Sequence, residues 1–210
     1  MKNIFVLISV VLVLLTACGK KSDNTEKVVL KPAADSATAA PDTIVTNDEL
    51  IQQAKTVFQL FKEKNYSALA ELCAPEGVRF TPYAFIDMKK DVILKPQQIS
   101  EAGTSTQKFL WGQFDGSGKP ISFTMKEYFA RFVQDVDFLT NSVISIDECL
   151  GGGNTTNNIR DAYKGQRFVS FYISGTEENA NMDWKAIRIV FRVDKGQLLL
   201  IGVVHDEWTV

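Results

Sequence analysis

The sequence predicts an α+β domain in which N-terminal helices pack on an antiparallel sheet. Two stretches with helical apolar spacing each begin at a Thr-x-x-Glu box, and the C-terminal part of the chain is mostly alternating strand joined by hairpin turns. Helices first and a run of strands afterwards place the helices on one side of the sheet.

The first helix is expected over residues 47–64. Thr46 and Glu49 form its capping box, Asp48 favours the positive helix end, and Leu50, Ala54, Val57, Phe58 and Phe61 recur on one face. A short second helix covers residues 66–73 and is stopped by Pro75 and Gly77. Residues 78–81 alternate as a first strand, which Pro82 ends or confines to an edge. Residues 87–107 are polar and weakly patterned. Residues 108–114 read as strand and Asp115-Gly-Ser-Gly118 as a tight turn. Thr124 and Glu127 form the second capping box, and Met125, Tyr128, Phe129, Phe132, Val133 and Val136 extend that helix to about residue 137. Strands then follow over residues 142–149, 167–174, 184–194 and 197–205, the last two joined by Asp194-Lys-Gly-Gln197. The polar segment 151–158 is a loop.

Ahead of the domain stands a different pattern. One basic residue, Lys2, precedes a short apolar run that closes on Leu15-Thr-Ala-Cys18. This is the layout of a secretory signal peptide, and the run is shorter than the ~20 residues of a membrane span. Leu-Thr-Ala-Cys resembles the bacterial lipobox. That resemblance implies cleavage before Cys18, lipidation of Cys18 with palmitate-type chains, and anchoring in the cell envelope. In a bacterium with two membranes it implies the outer membrane, facing the periplasm. Paired acyl chains hold a protein on a bilayer far better than one. The expected division is therefore residues 1–17 as signal peptide, 18–46 as lipidated flexible tether and 47–210 as one α+β domain. The tether is rich in Ala, Pro, Ser, Thr and Lys and buries too little apolar surface to order itself.

Composition narrows the function. With 23 basic and 25 acidic side chains the chain lacks the basic excess of a nucleic-acid binder. Membrane contact through the anchor, and an unidentified small ligand or envelope protein, are the partners expected. Besides Cys18 there are Cys73 and Cys149, which an oxidising compartment could join as a disulfide. Two separate buried thiols are the alternative. No Cys-x-x-Cys pair supports redox chemistry.

The single histidine, His205, excludes histidine-rich metal sites. Asp115-Gly-Ser-Gly-Lys119 fails as a P-loop, because Pro120 stands in the Ser/Thr position, and it fails as an EF-hand for want of the turn glycine and the final glutamate. There is no Gly-x-Ser-x-Gly elbow. Asp135 and Asp137, two apart on the expected helix, point to different faces and read as solvated surface. No catalytic residue, metal ligand or cofactor is therefore assigned.

One constellation remains, in the last two strands. Trp184, Arg188, Val190 and Arg192 share one face, and Ile187, Ile189, Phe191 and Val193 share the other. His205, Asp206 and Trp208 close the final strand. Trp184, Arg188, Arg192, His205, Asp206 and Trp208 are thus the candidate binding residues, arginine being suited to carboxylate or phosphate. The competing pattern reading turns the apolar face to the core and leaves Arg188 and Arg192 toward solvent, with Arg188→Ala structurally mild.

The element order resembles the NTF2-like fold, which implies a strongly curved sheet enclosing a conical pocket with the helices. Trp111-Gly-Gln-Phe-Asp-Gly-Ser-Gly118, Glu127-Tyr-Phe-Ala-Arg-Phe-Val133, Met182-Asp-Trp-Lys-Ala-Ile-Arg-Ile-Val-Phe191 and Gly202-Val-Val-His-Asp-Glu-Trp-Thr-Val210 resemble tracts of an uncharacterised family of bacterial envelope lipoproteins. The resemblance implies an extracytoplasmic lipoprotein and carries no established activity; the thin polar inventory and the lack of an intact catalytic motif favour a non-catalytic ligand- or protein-binding domain. The alternatives are a small-molecule isomerase or hydrolase using Asp and His in the cone, and an envelope assembly factor.

Overall fold

The computed structural model describes residues 45–210; the expected signal peptide, Cys18 and nearly all of the tether lie outside the described residues. Helix α1 runs Asn47–Lys62, and its capping box is formed in both directions: Thr46 Oγ1 accepts from the Glu49 amide, and the Glu49 carboxylate accepts from the Thr46 amide at 2.7 Å. Its buried stripe is Leu50, Ala54, Val57, Phe58 and Phe61. Helix α2 (Tyr66–Glu71) and strand β1 (Val78–Thr81) follow.

The weakly patterned stretch holds two short elements that its periodicity does not show, β2 (Val92–Leu94) and α3 (Pro96–Ser100). Next come β3 (Lys108–Gln113) and β4 (Pro120–Thr124), a separate two-stranded hairpin. Helix α4 (Met125–Phe132) begins at the Thr124–Glu127 box. It ends sooner than its apolar spacing predicts. The amides of Val133 and Gln134 both turn back to the Phe129 carbonyl, and residues 133–139 form a turn held by Asp137, which accepts from the Leu139 amide. The remaining elements are β5 (Val143–Ile146), α5 (Ile159–Ala162), β6 (Arg167–Ile173), β7 (Lys185–Asp194) and β8 (Gln197–Glu207). Lys195 and Gly196 both have positive φ, the backbone of the tight hairpin turns that match strand twist.

The main sheet has the order β2-β1-β8-β7-β6-β5. All its pairs are antiparallel except one: β1 lies parallel to β8, with Arg79 opposite Gly202. A bulge shifts the β7–β8 register after Val190, and bulges bend the strands that carry them. Helices α1, α2 and α4 cover one face, where Val169, Phe171, Ile187, Ile189, Phe191, Leu200 and Val203 join the main core. The fold is the expected α+β arrangement of N-terminal helices on a curved, mainly antiparallel sheet.

The opposite face is also covered. Ile86, Ile159 and Tyr163 pack there on Phe168, Val190 and Val204. Asn158 clamps this layer, accepting from the Ile86 amide at 2.8 Å and donating to the Ile86 carbonyl at 3.0 Å. Tyr163 lies so close over Gly202 that a β-carbon there would collide with its hydroxyl. The expectation that Arg188 faces solvent is corrected on this ground, since a third layer seals the face it stands on. Of the two readings open for Cys73 and Cys149, the structure has separate free thiols and no bridge. Cys73 belongs to the helix-side core and Cys149 packs against the cluster across the sheet. Burial pushes the Cys73 thiol up to about 12.

Candidate functional site

The space between helices and sheet is occupied by side chains. Trp111 stacks on Tyr128 with centroids 3.9 Å apart and donates its indole N–H to the Phe123 carbonyl at 2.9 Å. Phe58 meets Phe171 edge-on at 4.8 Å, and Phe80 lies against both Trp111 and Phe129. All of these rings are buried. The cone is a packed aromatic core.

At one end of it stands His205. It lies opposite Ile187 on the helix-facing side and is wholly buried. Its Nδ1 is 2.9 Å from the Pro82 carbonyl, which can only accept, so that nitrogen carries a proton. Its Nε2 meets Asp135 Oδ2 at 3.2 Å. Asp135 comes from the turn after α4 and not from the helix itself, which is why its two-residue spacing from Asp137 says nothing about its face. Lys185 pairs with both Asp135 (3.2 Å) and Glu207, and Arg131 pairs with Glu207 at 2.6 Å. Burial alone would raise both carboxyls. Bonds from His205 and Lys185 outweigh it at Asp135, those from Arg131 and Lys185 outweigh it at Glu207, and both sit below the usual carboxylate range.

Asp135, His205 and Glu207 bring ligand-type atoms within 4.8 Å of one another. The Lys185 ammonium already bridges the two carboxylates, however, and the Arg131 guanidinium holds Glu207 from the other side. The neighbouring cleft of about 340 Å³ is lined by Phe58, Lys62 and residues 133–139, so a solute there reaches Asp135 and not His205.

The other candidate residues stand on the opposite face. Trp184, Arg188 and Arg192 share a side of β7, and Asp206 on β8 joins them. Arg188 is fully buried, and its Nη2 donates to Asp206 Oδ2 at 3.0 Å. Arg192 lies four residues further along, ~13 Å at the usual strand rise, and pairs with Glu76 at the surface. Trp184 is buried against Tyr172, and Trp208 is 39 % exposed. The structure therefore joins Arg188 with Asp206, places Trp184 on their face, and separates His205 and Arg192 from them. His205 and Asp206 point to opposite sides of the sheet, as neighbours in a strand do.

Asp135, Lys185, Glu207 and Arg131 escape the sequence reading. Strand alternation carried to residue 207 would have placed Glu207 beside His205. Asp135 had no such signal, because α4 ends early.

No protein-family model matches the chain, and no curated protein matches it. Among solved structures it is similar to a designed NTF2-like protein, Rd1NTF2_05 with five substitutions, at 15% identity and a TM-score of 0.36, over 76% of this chain and 97% of that one. It is also similar to Aln2 from a Streptomyces species, at 12% identity and a TM-score of 0.36, over 79% of this chain and 94% of that one. At that level neither likeness carries a functional argument.

Proposed function

We propose that this protein is a lipid-anchored envelope protein whose domain binds a ligand or another envelope protein and catalyses nothing. The observation that supports this best is the filled cone. Aromatic rings occupy the place where a substrate would lie, and His205 is closed off by Pro82, Phe132 and Asp135. A general acid or base has to come within hydrogen-bond reach of its substrate. The anchor rests on Leu15-Thr-Ala-Cys18.

Two measurements test the reading. Intact-mass analysis of the mature chain is expected to show acyl mass on Cys18, and Cys18→Ala is expected to leave the precursor unprocessed; a mature chain without acyl mass overturns the anchor. A fragment screen followed by NMR is expected to leave the Trp111 and Tyr128 resonances unmoved. Fragments seated among those rings would restore a pocket in the cone and with it the enzyme reading.

A further inference from the structure

The face of the sheet opposite the cone carries a further buried arginine, and this one lines a cleft. In β1, Val78 and Phe80 turn to the helix-side core, so Arg79 between them stands on the opposite face. Arg79 is only 8 % exposed. Its Nη1 donates to the Asp87 and Asp91 carbonyls at 3.3 and 3.4 Å. Among the described residues its guanidinium joins no ion pair. The Asp91 carboxylate attracts it from further away, but its Oδ2 is taken by the Thr81 hydroxyl and the Asp87 amide. An arginine this buried normally has an acid against it.

The cleft has a volume of about 350 Å³, within the range of small-molecule sites. Tyr163 forms one wall, its hydroxyl held over Gly202. Gly202 and Ile93 are the residues that Arg79 faces in the two strands beside it. Lys164 lines the cleft as an exposed side chain, and it too joins no ion pair among the described residues. Arg192 also lines the cleft, but Glu76 meets it with both carboxylate oxygens. Arg79 and Lys164 are thus left without a counter-charge in contact. Water can accept from their N–H groups, yet it brings no charge to set against theirs.

Charge is one half of the description. Met88 and Ile93 line the same cleft and are 52 % and 44 % exposed, and Ile201 extends the apolar wall. A hydrated inorganic ion makes no use of that surface. An acid with a hydrocarbon tail uses both parts, its head on the two cations and its tail over Met88 and Ile93.

We propose that Arg79 and Lys164, together with Met88 and Ile93, form a site on the back of the sheet for a small amphiphilic anion. The proposal rests on the binding reading and deepens it by placing the ligand outside the cone. The test uses the full mature chain made without its acyl group, so that no detergent competes, and sodium octanoate below its micellar range as probe. Octanoate is expected to shift the Met88, Ile93 and Ile201 methyl resonances saturably and to bind at least ~10-fold more tightly than acetate, which has the head and no tail. Octylammonium, with the tail and the opposite charge, is expected to leave them unmoved. Lys164→Glu and Met88→Ser alter exposed side chains, are expected to fold, and are each expected to weaken octanoate about 5-fold. Arg79→Met removes a buried group and is unsuited as the sole test. Methyl shifts that do not saturate, an equal response to octylammonium, acetate as tight as octanoate, or an octanoate affinity unchanged in Lys164→Glu would each overturn the site. Those results leave the acyl group on Cys18 and the filled cone untouched, whereas missing acyl mass or a fragment among the cone's rings would leave this site standing.

Discussion

Arg188 shows how little a single residue's neighbours in sequence reveal about its surroundings. Alternation puts it opposite the apolar face of β7, which for a sheet covered on one side would mean solvent. Residues 86 and 158–163, distant in sequence, cover that face around Val190 and Val204 instead, and Arg188 itself is fully buried. Arg188→Ala is therefore expected to destabilise the fold by about 3–5 kcal/mol, since it strands the buried Asp206 carboxylate. Replacing both partners with apolar residues is expected to restore much of that loss in urea titrations. A loss under about 1 kcal/mol in the single variant would mean the pair is hydrated. Asp91 gives a pH-dependent case. Its carboxyl is pushed up to about 6, because burial outweighs the bonds donated by the Thr81 hydroxyl (2.6 Å) and the Asp87 amide (3.1 Å). The folded state then holds a proton that the unfolded chain, at an ordinary value of 3.8, has released. This group's contribution is present below the unfolded value and falls away as pH rises toward about 6. Asp91→Asn is expected to gain on the wild type between about pH 4 and about pH 7, measured as the difference in urea midpoint. A constant difference across that range would refute the shift.

Elements were legible where they are long or capped. Helix α1 and the strands β6, β7 and β8 carry periodic apolar residues over several turns or pleats, and both Thr-x-x-Glu boxes close as reciprocal bonds. Four short elements, β2, α3, β4 and α5, were not legible, because so short a span completes no period, whereas the equally short β1 and β5 stand out by their alternating apolar residues. Pro120 also argues against strand, yet it is tolerated at the first position of a hairpin outside the main sheet. The early end of α4 matters most for function. Val136 continues the apolar spacing, but it belongs to the turn that carries Asp135 to His205. Thr46→Ala and Thr124→Ala are each expected to cost ~1 kcal/mol in denaturant titration, each leaving the first helical turn with an unsatisfied amide. A loss well below half of that at Thr124 would show that its helix does not depend on the box.

At the scale of the whole molecule, the hardest feature to read was that the sheet is buried on both sides. Its closing pair, parallel β1 and β8, joins segments more than a hundred residues apart, and no local pattern announces such a partner. Among the described residues, the helix-side core draws on elements from α1 to β8. The described residues 45–210 all lie in one compact unit. The α1 cap needs Thr46 and Glu49 alone, both inside that unit. The expectation that follows is that the segment between the proposed lipidation site and the domain supplies reach and no packing. A chain starting at Ile44 is expected to melt within about a degree or two of the full mature chain, since it keeps every one of these core residues and the cap. Calorimetry of the two proteins in the same detergent checks this. A drop of several degrees would mean that residues 18–43 dock on the domain, and the apolar run Val28-Val-Leu30 would be the first place to look for the contact.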